Sequence, residues 1–124
     1  MESLHKKTFP EDEFYNHQGN NYWLVKNDDG NYCGFCMATD IGSKMLFLSR
    51  VGVLKKYRGQ GLHKRMIKIR EAFAKRRGFD CILTYTTKDN YQSFAHLIKA
   101  GYKLYDPEYA YAGPNVFYFL KELV

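Results

Sequence analysis

Hydrophobic residues fall in short dense runs separated by polar turns, and in two places the spacing changes from that of a strand to that of a helix. Tyr22 to Lys26 and Tyr32 to Ala38 are apolar runs that flank Asn27-Asp28-Asp29-Gly30-Asn31. The Asp29-Gly30 pair supplies the positive φ that a tight hairpin demands, so the two runs are predicted to be antiparallel neighbours. Thr39 to Lys44 is a second turn, and it feeds a third strand, Met45 to Leu54, rich in β-branched, aromatic and other apolar residues. From Gly61 the period lengthens. Leu62, Met66, Ile69 and Phe73 recur at three- and four-residue intervals, Lys64, Arg65, Lys68, Lys75 and Arg76 lie largely off that face, and Gly78 is the stop. Asp80 to Thr87 reads as a fourth strand, and the helix before it makes a β-α-β crossover whose two strands must be parallel. Asp89 or Asn90 caps a short helix with the face Phe94, Leu97 and Ile98, which Gly101 ends. Tyr102 to Tyr105 and Val116 to Leu120 are predicted as strands on either side of a loop around Pro107.

The first twenty residues break the pattern. Met1 to Asn20 form a polar leader with one short helix expected at Pro10, where Glu11, Asp12 and Glu13 suit a helix N-terminus, and Asn16 to Asn21 is expected to be a loop. No repeat, low-complexity segment or linker interrupts the rest. A chain of 124 residues makes one domain (1-124), with the leader at 1-20 and a β-α-β core at 45-105.

Composition changes this picture little. An apolar share of 45% and a charged share of 26% suit a globular protein, and no apolar run reaches the roughly 18 residues of a membrane span. No signal-peptide core follows the basic start, so the expected location is cytoplasmic. Three cysteines, Cys33, Cys36 and Cys81, fit a reducing compartment. Cys33-Gly34-Phe35-Cys36 has the spacing of a zinc or redox pair, but no second pair accompanies it, so it is read as strand and no metal is expected.

Charge is more informative. The chain carries a net +6, and seven of its Lys and Arg residues lie between Lys55 and Arg70. This concentration calls for an anion, and it surrounds Arg58-Gly59-Gln60-Gly61, where two glycines allow a sharp turn and close backbone approach to a ligand. The first amides of the following helix point outward without partners, which favours phosphate. The dinucleotide fingerprint is excluded because Lys64 stands where a third small residue is needed, and no Gly-Lys-Ser/Thr ending marks a P-loop.

The strand-loop-helix segment resembles the coenzyme loop of the GNAT N-acetyltransferases, Arg/Gln-x-x-Gly-x-Gly/Ala after a strand ending in valine. Val53, Arg58 and Gly61 match, while His63 occupies the final Gly/Ala position. A second family pattern matches in register at Asn90, Ser93, Gly101 and Tyr102, the tyrosine standing for phenylalanine. The resemblance covers Tyr22 to Leu120 and implies an α/β (α+β) GNAT acyl-CoA N-acyltransferase fold, a mixed, mostly antiparallel sheet, shortened at its N-terminal end. It implies acetyl-CoA as cosubstrate: pyrophosphate on the amides of Arg58, Gly59, Gln60, Gly61, Leu62 and His63, the pantetheine arm along Val51 and Val53, a bond from Asn90 to that arm, and Ser93 lining the groove.

Two departures qualify the activity it implies. The tyrosine that commonly protonates the departing thiolate would fall at position 97, which is leucine, and Met45 to Val53 holds no carboxylate to serve as base. Catalytic residues are therefore unassigned, with Asp40 and Tyr85 the reachable candidates and an ordered water as the expected base. His63 is expected to be an exposed first-turn residue, and His96 to lie off the apolar face of its helix. The implied function is direct acetyl transfer to an amine, on a protein or peptide. The alternative is a catalytically impaired module that binds coenzyme A or nucleic acid, although a coenzyme explains the charge without nucleic acid. A short leader is expected to leave Trp23 and Val25 exposed, and this implies a homodimer through the N-terminal half or Val116 to Leu120.

Overall fold

The structure, a computed structural model, describes residues 13 to 123. Its elements are β1 (Glu13–His17), β2 (Asn20–Lys26), β3 (Tyr32–Asp40), β4 (Met45–Val53), α1 (Leu62–Arg76), β5 (Cys81–Thr87), α2 (Tyr91–Lys99), β6 (Lys103–Leu104) and β7 (Val116–Glu122), with a single 3-10 turn at Lys55–Tyr57. The strands form one sheet in the order β1-β2-β3-β4-β5-β7-β6. All neighbours are antiparallel except β4 and β5, which the α1 crossover makes parallel.

Alternation along the strands sends one set of side chains towards α1. Trp23 and Val25 of β2, Cys36 and Ala38 of β3, Leu46 and Leu48 of β4, Ile82 of β5 and Phe119 of β7 meet Met66, Ile67, Ile69, Phe73 and Ala74 of α1 in one buried cluster. Trp23 stands edge-on to Phe73 at 5.2 Å, and Phe14 of β1 closes on both rings, 5.2 Å from Trp23 and 5.8 Å from Phe73. Aromatic pairs of this kind add about 0.5–1.5 kcal/mol to the energy of burial. α2 joins the same side of the sheet through Leu97 and through Phe94, which contacts Phe117 and Phe119.

Several expectations are corrected. The helix expected at Pro10 lies outside the described residues except for Glu13, which begins a strand, and the loop expected at Asn16 to Asn21 is the tight β1–β2 turn, with Gln18 and Gly19 at positive φ. β1 pairs with β2 along its whole length. Trp23 and Val25 are fully buried, because they lie on the helix-covered face and β1 brings Phe14 over them. The intervening Tyr22 and Leu24 face the other way. Val116 to Leu120 is no edge either, since β7 sits between β5 and β6. The surface around Trp23 and Val25, from whose expected exposure the homodimer was argued, is therefore covered. The strand expected at Tyr102 to Tyr105 contracts to Lys103–Leu104, with Tyr102 buried beside the core.

The feature that makes a site is a divergence within the sheet. β4 and β5 pair only at Met45↔Cys81, Leu46↔Ile82 and Phe47↔Leu83, yet β4 runs on to Val53 and β5 to Thr87. At the fork the Thr84 hydroxyl donates to the Leu48 carbonyl at 3.0 Å. Beyond it the β4 edge that faces β5 has no strand partner among the described residues.

Candidate active site

A cleft opens where β4 and β5 part, and its outer portion is built by the strand-loop-helix segment. Gly59 and Gly61 adopt φ of +82° and +75°, the left-handed conformation that costs glycine least. Gly61 is the N-cap of α1, with no capping side chain and no acidic residue in the first turn. The leading amides of α1 thus face the cleft with the positive end of the helix dipole behind them. Arg58 packs back on the strand, its Nε donating to the Val53 carbonyl at 3.4 Å.

Across the cleft, Asn90 caps α2 by accepting the Ser93 amide at 3.2 Å. That bond uses only the Asn90 oxygen, and Asn90 lines the cleft. An outer cavity of about 520 Å³ is lined by Val51, Val53, Arg58, Gly59, Gly61, Leu62, His63, Asn90 and Ser93 among others. Nine of the ten residues expected from sequence therefore share one cavity; Gln60 does not line it.

His63, expected to be an exposed first-turn residue, is partly buried against His96. Their rings stack at 4.9 Å and their Nδ1 atoms lie 2.7 Å apart, so one Nδ1 carries the shared proton. His63 Nε2 sits 3.4 Å from the Ser93 hydroxyl. Burial, the neighbouring His96 and the Arg70 guanidinium hold His63 down to about 4, so it is neutral at pH 7. His96 is lowered as well, by burial and then by Lys64 and Lys99. The pair is 33 residues apart, so no local spacing announces it.

An inner cavity of about 230 Å³ continues from the outer one and shares Val51, His63, Asn90 and Ser93 with it. Its deeper wall includes Arg70, Thr84, Tyr85, Thr86 and Leu97. The Thr86 hydroxyl is buried with no hydrogen-bond partner, an unsatisfied group on a cavity wall that a polar ligand would complete. Arg70, also absent from the sequence-derived site, is buried. It lies four residues after Met66 and three before Phe73, so the helical period does place it on the apolar face. Among the described residues, no carboxylate lines either cavity. Asp40 is elsewhere, its carboxylate accepting the Gly42 amide at 2.9 Å. Tyr85 reaches the inner cavity from the sheet face opposite the helices, among Phe47, Tyr111 and Tyr118.

Cys33 and Cys36 are buried free thiols of β3, and no cluster of three or more metal-binding side chains exists among the described residues. Among those residues, no helix is long and apolar enough to cross a membrane.

A parallel pair that splays beside a glycine turn, inside an otherwise antiparallel sheet, defines an acyltransferase class of fold. The Acetyltransferase (GNAT) family profile matches residues 2–102, and the chain belongs to that family. Solved structures agree on the fold. The IAA acetyltransferase of Bacillus cereus superposes with a TM-score of 0.73 at 15% identity, over 86% of this chain and 79% of that one. A Bacillus subtilis acetyltransferase in complex with CoA gives 0.72 at 14% identity, over 86% and 79%. The PaiA N-acetyltransferase of Thermoplasma acidophilum, in complex with coenzyme A, gives 0.71 at 19% identity, over 84% and 61%. No curated protein matches the sequence.

Proposed function

We propose that this chain transfers an acetyl group from acetyl-CoA directly to an amine, and that the coenzyme occupies the cleft between β4 and β5. The observation that carries the reading is the convergence of two separate sequence motifs, one before α1 and one at α2, on a single cavity. The pyrophosphate would rest on the amides of residues 58–63, and the pantetheine arm would pair with the free β4 edge at Val51 and Val53 as a strand would. Asn90 would bond that arm through the part of its amide not used for capping. Basic side chains at Arg58 and Lys64 line the same cavity and suit the phosphates. The unsatisfied Thr86 hydroxyl and the continuity of the two cavities support a polar ligand reaching the inner end.

Chemistry at that end needs alignment, polarisation of the thioester carbonyl, and removal of the amine's proton. The Val53 amide is the polarising donor by family resemblance. With no carboxylate lining either cavity among the described residues, an ordered water takes the proton, and Tyr85 of the inner cavity wall orients it. The acceptor would approach from the sheet face opposite the helices, where Tyr85 and Phe35 stay 40% and 39% exposed. A face that open supports an amine on a protein or peptide. Free Cys33, Cys36 and Cys81 fit a cytoplasmic setting.

Leu97 and the lack of a cleft carboxylate among the described residues favour a second reading, a module that binds coenzyme A without acyl transfer. One experiment separates them. Calorimetry with acetyl-CoA, followed by mass spectrometry of amine-bearing peptides incubated with protein and acetyl-CoA, should show binding and acetylated product. Binding without product supports the module, and absence of binding refutes both.

A further inference from the structure

We propose that Arg70 stabilises the coenzyme thiolate as it departs, filling with a fixed positive charge the place that Leu97 leaves without an acid. This inference rests on the coenzyme site proposed above.

The starting observation is a buried charge with incomplete partners. Arg70 is 3% exposed, and its Nε donates to the Met66 carbonyl at 3.1 Å while its Nη1 donates to the Met37 carbonyl at 3.2 Å. Met37 lies where the β3–β4 register shifts between Cys36 and Ala38, and the guanidinium takes up the carbonyl there. Both acceptors are neutral. Among the described residues, no carboxylate forms an ion pair with the group. Glu71, next in the chain, is committed to Lys121 at 2.8 Å. Two carbonyls explain two donors, and Glu71 acts on the charge only from a distance, so the buried ion has no carboxylate in direct contact.

The second observation is where that charge faces. Arg70 and Leu97 line the same inner cavity, together with Thr84 and the unsatisfied Thr86 hydroxyl. Arg70 lies two turns along α1 from His63, which lines the same cavity, and adds to the lowering of that imidazole. Other titratable groups near the guanidinium are Cys36 of β3, Glu71 of its own helix and Tyr102 after α2. Tyr102 is held up by burial and stays protonated, so neither it nor neutral His63 offers a negative charge. The cavity thus presents a cation to whatever sits at its inner end.

In the transfer, the amine nitrogen forms a bond to the acyl carbon, the carbon–sulfur bond breaks, and sulfur leaves with the bonding electron pair. The amine's proton passes to water, and the thiolate takes up a proton from solvent after release. Negative charge on sulfur therefore grows only as the bond breaks. A guanidinium held by two carbonyls meets that charge without reorganising and without giving up a proton. A thioester in the ground state is neutral and gains much less.

The test uses coenzyme A itself as the probe. Ultraviolet absorbance of the thiolate, followed against pH, gives the thiol pKa of coenzyme A bound to the native protein and free in solution. The bound thiol is expected to be lower by at least about one unit, the usual effect of an adjacent opposite charge. Arg70→Gln should bind coenzyme A comparably, return the thiol to its free value or above, and lower kcat about tenfold. Arg70→Lys, which keeps the charge and loses the fork, should retain most of the shift. A bound thiol with an unshifted or raised pKa in the native protein overturns the inference, whether or not Arg70→Gln folds, and so does a lowered pKa that persists in that variant. Failure of coenzyme A to bind the native protein would instead overturn the coenzyme site, and the inference with it.

Discussion

The two ends of the cleft are made differently. The outer end is backbone: two left-handed glycines, the leading amides of α1, the open edge of β4 and the capped start of α2. The inner end is side chains drawn from distant elements, with Arg70 from α1, Thr84 and Thr86 from β5 and Leu97 from α2. Backbone devices depend on local sequence and leave a motif. The inner end depends on packing, and its chemistry varies with single substitutions while the outer end stays intact. This is how a chain can keep a recognisable coenzyme loop and yet lack the expected tyrosine.

The largest effect should come from removing what both ends share. Phe73 anchors α1 against Trp23 and Phe14, and Phe73→Ala should cost about 3–5 kcal/mol of stability, read by denaturant unfolding. A loss below about 1 kcal/mol would mean that the cluster does not hold the helix to the sheet.

Gly61→Val should act on the outer end alone. No atom lies within 4 Å of the added Cβ, but a β-branched residue at φ +75° is strained and the loop must move. Binding of acetyl-CoA is expected to weaken at least tenfold, about 1.4 kcal/mol, by calorimetry. Equal affinity would detach the loop from the ligand.

How much was legible follows the same division. Arg58 to Gly61 and Asn90 to Ser93 announced themselves because turn and cap chemistry are local. The crossover and the parallel pairing of β4 with β5 followed from element lengths alone. Trp23 and Val25 were assigned the wrong exposure because Tyr22 to Val25 is apolar throughout, and only pairing with β1 and β3 decides which face is inside. β1 itself, Glu-Phe-Tyr-Asn-His, is a polar edge strand whose one core residue, Phe14, shows no period. Arg70 sat at helical phase with Met66 and Phe73, but its side chain made it look like part of the basic surface.

Asn90→Ala sharpens the comparison on a smaller scale. Loss of the cap should cost about 1 kcal/mol of stability. If the residue also holds the pantetheine arm, Asn90→Ser, which keeps a cap but loses the side-chain amide, should bind acetyl-CoA more weakly than the native protein. Native affinity in Asn90→Ser would confine Asn90 to capping.

The histidine pair should appear in the pH dependence. His63 is depressed in the folded protein from an ordinary 6.5 to about 4, so between those values the unfolded chain binds more protons. Stability should therefore fall as pH drops from about 6.5 towards 4 and be insensitive to this group above 7. The partly exposed ring makes this a modest effect. Thermal unfolding of His63→Gln should show a shallower acid slope, and an unchanged slope would assign the acid sensitivity to other groups.

The most direct test of the central claim is a titration of isotope-labelled protein with coenzyme A, followed by backbone amide NMR. The account expects the largest shifts at Gly59 to Lys64, at Val51 and Val53, and at Asn90 and Ser93, with β1 and β2 nearly unmoved. Saturable binding whose shifts fall instead on β1, β2 or the β6–β7 edge, leaving the amides of 59–64 in place, would contradict it.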